Sequence, residues 1–198
     1  KYVLKNAISS TPRYCRLSRI VRDIPSNEIV DGNKKTNLRQ IVEEELIQEG
    51  RVVQDIRARE IKDESVTWEK IKLETIQYST KIGKEIFLSY KTKVSDKICG
   101  FLRLSIPNKR NNKLLIDEIR DSTMIREIHV YGKVLGIKDL NVGESQHLGL
   151  GKRMIGIAEE ITRQSGFKKI SVISAIGTRQ YYRDRGFQLG DLYMSKTL

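Results

Sequence analysis

Cysteine is almost missing from this chain: Cys15 and Cys99 are the only two in 198 residues. Two cysteines do not make a disulfide framework, so both thiols are expected to be reduced, as in a cytoplasmic protein. Histidine is as scarce, at His129 and His147, and no Cys/His cluster has zinc-ligand spacing. The sequence lacks an apolar run of about eighteen residues, the least a membrane-spanning helix needs, and it lacks the apolar core of a signal peptide. It begins at Lys1 rather than Met, as expected of a fragment whose natural N-terminus lies upstream. Internal repeats and low-complexity segments are absent as well. These absences exclude a secreted disulfide scaffold and a helical membrane protein.

What the chain has in quantity is charge. Charged residues make up 31% and hydrophobic ones 38%, a balance that fits a soluble folded protein rather than a disordered one. The formal net charge of +12 is unevenly placed, with +2 in residues 1–68 and +10 in residues 69–198. A basic surface attracts polyanions, either nucleic acid or a phosphate-bearing cofactor. A Lys/Glu/Ile-rich thermophile surface has the same composition and need bind nothing.

Along the chain, "YCRLSRIVRDI" (14–24) alternates like a strand and stops at Pro25. Asn37 stands as an N-cap before a helix with Leu38, Ile41, Val42 and Leu46 on one side and Gly50 at its stop. From Trp68 the texture changes. "KIKLETIQYST" reads as a strand, and "KEIFLSYKT" and "ICGFLRLSIP" as a hairpin around "KVSDK". "STMIREIHVYG" is a further strand, with Ile125, Glu127, His129 and Tyr131 on one face. A helix over 150–164 follows, burying Leu150, Met154, Ile157, Ala158 and Ile161. Then come the apolar strand "KKISVISAI", a short helix in "GTRQYYRDRGF" and a last strand in "YMSKTL". A mostly antiparallel sheet thus meets a late βαβ crossover, after a boundary near Asp63–Glu69.

Between strand and helix lies "QHLGLGKRM" (146–154). A helix start exposes unpaired N–H groups and a partial positive charge. Glycines there let the backbone approach an anion with no Cβ in the way. Gly149 and Gly151 supply that freedom, and Lys152 and Arg153 add charge. Taken alone, G-x-G is also an ordinary helix-start turn.

The spacing "QHLGLG", after a strand and before a helix, fits the Q/R-x-x-G-x-G/A acetyl-CoA signature of the GNAT acetyltransferase superfamily. "MIREIHVYG", "QHLGLGKRMIGIAEEI", "KISVISAIGTRQYYRDRGF" and "YMSK" together resemble the acetyltransferase domain of the Elongator catalytic-subunit family of tRNA uridine acetyltransferases. "RIVRDIPS", "NLRQ" and "DIRAREI" resemble the tail of that family's radical-SAM domain. The resemblance implies an α/β (α+β) GNAT domain over 67–198, its mixed, mostly antiparallel sheet flanked by helices, after a strand/helix remnant of the radical-SAM domain over 1–66. It implies acetyl-CoA as cofactor, tRNA as partner and formation of 5-carboxymethyl-type wobble uridine, with other Elongator subunits as partners in a eukaryote. It also implies residue roles. Backbone groups of Glu127, Ile128, His129 and Val130 would pair with the pantetheine arm. Gly149, Leu150, Gly151 and Lys152 would hold the pyrophosphate, and Gln146 would brace the loop. Tyr182 would give a proton to the leaving thiolate, with Tyr181 packing or facing tRNA. Glu127 or His129 would orient or deprotonate water or an amine.

The sequence also departs from the family. An iron–sulfur cluster needs thiolate ligands, and Cys15 and Cys99 are 84 residues apart, so the S-adenosylmethionine and [4Fe-4S] chemistry of the full-length family is not expected from these residues. Where many relatives carry a zinc-binding cysteine before an "RDIRTRE"-like segment, "VVQDIRARE" offers Val53, and no metal site is expected. Two other functions use the same fold: a lysine N-acetyltransferase acting on protein with Glu127 as base, and a non-catalytic acetyl-CoA- or tRNA-binding module. The +10 excess in residues 69–198 favours tRNA over basic histone tails.

Overall fold

The computed structural model describes residues 1–18, 20, 28, 30–31, 37–62, 66–108, 116–131 and 149–198. They form two compact units, Lys1–Glu60 and Ile61–Leu198. The first holds helices α1 (Tyr2–Ser10) and α2 (Leu38–Gln48), which bury Ile8, Val42 and Leu46, with Leu4, Leu17, Leu38 and Val53 packed against them. Val53 is thus a packing residue. Asn37 occupies the N-cap of α2, but its side chain makes no cap hydrogen bond. The strand expected over 14–24 does not form in residues 14–18, and residues 19 and 21–24 lie outside the described residues. Alternation alone supplies no partner strand. Instead Leu17 donates its N–H to the Asp55 carboxylate (3.4 Å), and its carbonyl accepts from Arg39 (2.6 Å). Asp55 is fully buried, and Arg39 Nη2 donates to both its oxygens, at 2.8 and 3.0 Å.

The second unit is a seven-stranded sheet in the order β1-β2-β3-β4-β5-β7-β6. The strands are β1 (Ile71–Ser79), β2 (Gly83–Thr92), β3 (Ile98–Pro107), β4 (Thr123–Val130), β5 (Lys169–Val172), β6 (Gln188–Leu189) and β7 (Met194–Thr197). All neighbours are antiparallel except β4 and β5, which are parallel and joined through α3 (Leu150–Gln164). A short α4 (Arg179–Arg183) follows β5. This mixed, mostly antiparallel sheet with flanking helices is the arrangement expected from the sequence. Among the described residues no helix is long and apolar enough to cross a membrane.

α3 packs on the sheet through Leu150, Met154, Ile155, Ala158 and Thr162. Ile157 and Ile161, expected to be buried, are only partly so, because the buried stripe turns toward Ile155 and Thr162. Thr162 is tolerated there because its hydroxyl bonds both the Thr123 hydroxyl and the Ala158 carbonyl, each at 2.7 Å. β5 ends earlier than its apolar run. Its pairing with β4 and with β7 stops at Val172, and Ile173 and Ile176 are exposed.

One irregularity governs the site. The register of β3 against β4 runs Arg103↔Glu127 and then Leu104↔Ile125, so Arg126 is an extra residue, a β-bulge. The expected common face of Ile125, Glu127, His129 and Tyr131 is therefore broken. Ile125 is buried in the core cluster under α3, and Ile128 and Val130 pack on that cluster. Glu127 and His129 point to the other side of the sheet, beside Arg103 and Phe101.

Candidate functional site

The site begins at the start of α3. Gly149 takes a left-handed conformation (φ 64°, ψ 26°), one that L side chains adopt only with strain. Leu150 is fully buried and anchors the first turn in the core. Arg153 N–H bonds back to the Gly149 carbonyl at 3.1 Å. The amides of Leu150, Gly151 and Lys152 precede that first bond and have no intrahelical acceptor. No side chain caps this end among the described residues.

Facing it is the open edge of β4. Pairing with β5 covers only Thr123↔Ile170 to Ile125↔Val172, whereas β4 continues to Val130. Beyond Ile125 the strand pairs with β3 on one side and, among the described residues, with no strand on the other. The third wall is α4 and the turn before it. Together they enclose a cavity of about 400 Å³, lined by Ile128, Val130, Gly149, Gly151, Lys152, Thr178, Tyr181, Tyr182 and Arg185. A cavity of this size, with an apolar floor and a few polar groups, suits a small-molecule ligand.

The two tyrosines of α4 diverge. Tyr182 is 5% exposed, its ring edge-on to Phe187 at 5.6 Å, and burial pushes its phenol up to about 12. Its hydroxyl has no hydrogen-bond partner among the described residues. Tyr181 is more open, and its pKa is also raised, chiefly by burial, with Arg185 opposing the shift. The Arg185 guanidinium lies over the Tyr181 ring, 3.4 Å from its centroid. Lys152 and Arg185 give the cavity positive charge.

Of the residues expected from the sequence, Ile128, Val130, Gly149, Gly151, Lys152 and Tyr182 meet around this cavity. Leu150 lies beneath it and offers only its backbone. The side chains of Glu127 and His129 do not line it. On the other face His129 Nε2 is 3.2 Å from Glu127 Oε1, and Arg103 Nε is 3.5 Å from Glu127 Oε2. The His129 hydrogen bond, with Arg103 assisting, holds the Glu127 carboxyl below its ordinary value. Arg153, expected at the anion site, instead stacks on Trp68, 4.1 Å from the ring centroid. Gln146 and His147 lie outside the described residues. Thr178, Tyr181 and Arg185 are lining residues that the sequence reading passed over as ligand-facing groups. Arg185 stands four residues after Tyr181, in the turn that follows α4, where its guanidinium folds back over the Tyr181 ring.

No protein-family model matches the chain. Curated proteins do. It is 40% identical over 205 residues to the tRNA uridine(34) acetyltransferase of Methanocaldococcus jannaschii, covering 99% of this chain and 37% of that one. It is 34% identical over 203 residues to Elongator complex protein 3 of Schizosaccharomyces pombe, again covering 99% and 37%. A solved structure of the archaeal Elongator protein 3 of Methanocaldococcus infernus, with its N-terminus deleted, superposes with a TM-score of 0.79 at 35% identity, over 99% of this chain and 47% of that one.

The chain resembles one part of the Elongator protein 3 proteins along nearly its whole length. It spans a little over a third of the length of the curated relatives it matches. The fold is therefore shared by the chain and the archaeal structure over nearly the whole of this chain.

Proposed function

We propose that the cavity between α3, β4 and α4 binds acetyl-CoA, and that this chain supplies the acetyl-CoA-binding and thioester-cleaving part of a tRNA wobble-uridine-modifying enzyme. The observation that carries this reading is the convergence of three features on one cavity: uncapped α3 amides, an open β4 edge and an unpartnered phenol at Tyr182. The amides of Leu150, Gly151 and Lys152 and the helix dipole hold the diphosphate. Lys152 and Arg185 add charge. The backbone of residues 127–130 pairs with the amides of the pantetheine arm, as a strand would. Acetyl-CoA, when bound, supplies an activated acyl thioester.

Tyr182 serves the sulfur end. A phenol held near 12 keeps its proton at neutral pH. Full transfer to a thiolate whose conjugate acid has a pKa of about 8.5 is uphill. Tyr182 therefore works mainly as a hydrogen-bond donor to the developing thiolate, and the proton that the thiol finally carries comes from solvent. An acceptor or a water approaching from the other face of β4 meets the ionised Glu127 and His129, which orient it or take its proton.

The relatives' names and the +10 excess of residues 69–198 support tRNA as partner. The radical step of the family is not assigned to these residues. Two cysteines fall short of the three thiolates a [4Fe-4S] cluster with bound S-adenosylmethionine takes from its protein, and the described residues hold no group of three His, Cys, Asp or Glu fit for a metal ion.

The test is CoA release from acetyl-CoA with and without tRNA, for wild type and Tyr182→Phe. The expected result is tRNA-stimulated release that falls at least about a hundredfold in the variant. Stimulation by lysine peptides instead of tRNA would transfer the assignment to a protein acetyltransferase.

A further inference from the structure

Two consecutive tyrosines on a helix point about 100° apart, so they cannot serve the same atom of a ligand. Tyr181 and Tyr182 sit edge-to-face, with ring centroids 5.4 Å apart and planes at 88°. Tyr182 turns inward onto Phe187. Tyr181 turns toward the start of α3. A Cβ built on Gly151 would fall 2.4 Å from the Tyr181 hydroxyl, so that hydroxyl rests against Gly151 in the first turn of α3. Arg185 holds it there, its guanidinium over the ring and its Nη1 donating to the Tyr181 carbonyl.

We propose that Tyr181 is a phosphate-binding residue of the cavity: its hydroxyl donates a hydrogen bond to the ligand's diphosphate at the α3 amides, Arg185 positions it and adds charge, and Tyr182 alone serves the sulfur end. This rests on the acetyl-CoA reading above. A hydroxyl carries one donor and two acceptor sites, so it can accept from a neighbouring amide when no anion is present and turn its proton outward when one arrives. Its closeness to Gly151 also gives that glycine a role of its own. Any side chain there displaces the hydroxyl from the anion site.

The test uses the 198-residue chain and two ligands. Acetyl-CoA carries the diphosphate with its 3′-phosphoadenosine, and S-acetylpantetheine has the same thioester arm without either. Acetyl-CoA affinity is measured by calorimetry, and the weaker S-acetylpantetheine affinity by NMR titration. Tyr181→Phe is expected to weaken acetyl-CoA binding about tenfold and to leave S-acetylpantetheine within about twofold. Arg185→Met is expected to lower the same ratio and, unlike a packing change, to flatten the salt dependence of acetyl-CoA binding. Tyr182→Phe is expected to leave the ratio unchanged. Circular dichroism and Trp68 fluorescence confirm that each variant is folded. An unchanged acetyl-CoA affinity in Tyr181→Phe, or equal losses for both ligands, overturns the phosphate role while leaving the acetyl-CoA reading intact. A wild-type chain that binds neither ligand overturns both.

Discussion

Gly151→Ala is expected to destabilise the second unit in wild type and to become harmless once Tyr181 is Phe. The added methyl would lie 2.4 Å from the Tyr181 hydroxyl, about 1 Å inside ordinary contact, while the next atoms, Tyr181 Cζ at 3.5 Å and Val130 Cγ2 at 3.7 Å, are at normal distances. The hydroxyl moves only with its ring, which is packed on two sides. Arg185 covers one side of its ring, and the Tyr182 ring abuts it at a centroid distance of 5.4 Å. Overpacking of this kind costs about 1–3 kcal/mol. Replacing glycine by alanine in a helix returns roughly 0.5–1 kcal/mol. The single variant should therefore lose up to about 2.5 kcal/mol. In the Tyr181→Phe background the close atom is gone, and the same substitution should be neutral or mildly stabilising. The coupling energy of the double-mutant cycle is then about 1–3 kcal/mol. Urea unfolding followed by Trp68 fluorescence reads it directly. Trp68 is the only tryptophan, it belongs to the second unit, and it packs edge-on to Tyr90 at 5.6 Å beneath Arg153 of α3. Effects that add within about 0.5 kcal/mol would show that Tyr181 moves freely, and would refute the clamp.

Three further outcomes are expected. Gly149→Ala meets no atom within 4 Å, but at φ 64° it should cost about 1–2 kcal/mol in the same urea assay, and Gly149→Asn less, because asparagine tolerates the left-handed region. Arg39→Met strands the fully buried Asp55 carboxylate and should destabilise the first unit by about 3–5 kcal/mol, seen as an early helical transition by circular dichroism while Trp68 fluorescence stays native. The folded state holds the Tyr182 phenol at about 12 against an ordinary 10.0, so its contribution to stability is complete below pH 10 and is lost as pH rises toward 12. Tyr182→Phe should flatten stability against pH in that window without abolishing the slope, since Tyr78 is also pushed up to about 12 by burial and by its bond to Glu85. An identical slope in the variant would mean that Tyr182 is solvated.

Much of the fold was legible because it rests on period and punctuation. α2 and α3 declare themselves by apolar spacing and by glycine at their ends, and β1 to β3 by alternation and a tight hairpin. α1 did not, because nine residues with most apolar side chains exposed carry little period, and its burial of Ile8 comes from packing on α2. The site divides in the same way. Gly149 and Gly151 read as one motif, yet the first is needed for its φ and the second for space, and only the position of Tyr181 separates the two. Arg185 was hidden as one more cation in a basic segment, because charge on a helix is usually solvated. The decisive element was the bulge. One extra residue in β4 changes no composition and leaves the alternation looking intact, but it rotates everything after Arg126 by one face. With an unbroken strand, Ile125, Glu127 and His129 would share the core side, and two polar side chains would be buried beneath α3. The bulge turns Ile128 and Val130 to the cavity and sends Glu127 and His129 to the opposite face. Under the proposed function, the acyl carrier would lie along the open edge of β4 and the acceptor would approach across the sheet, so that neither must displace the other.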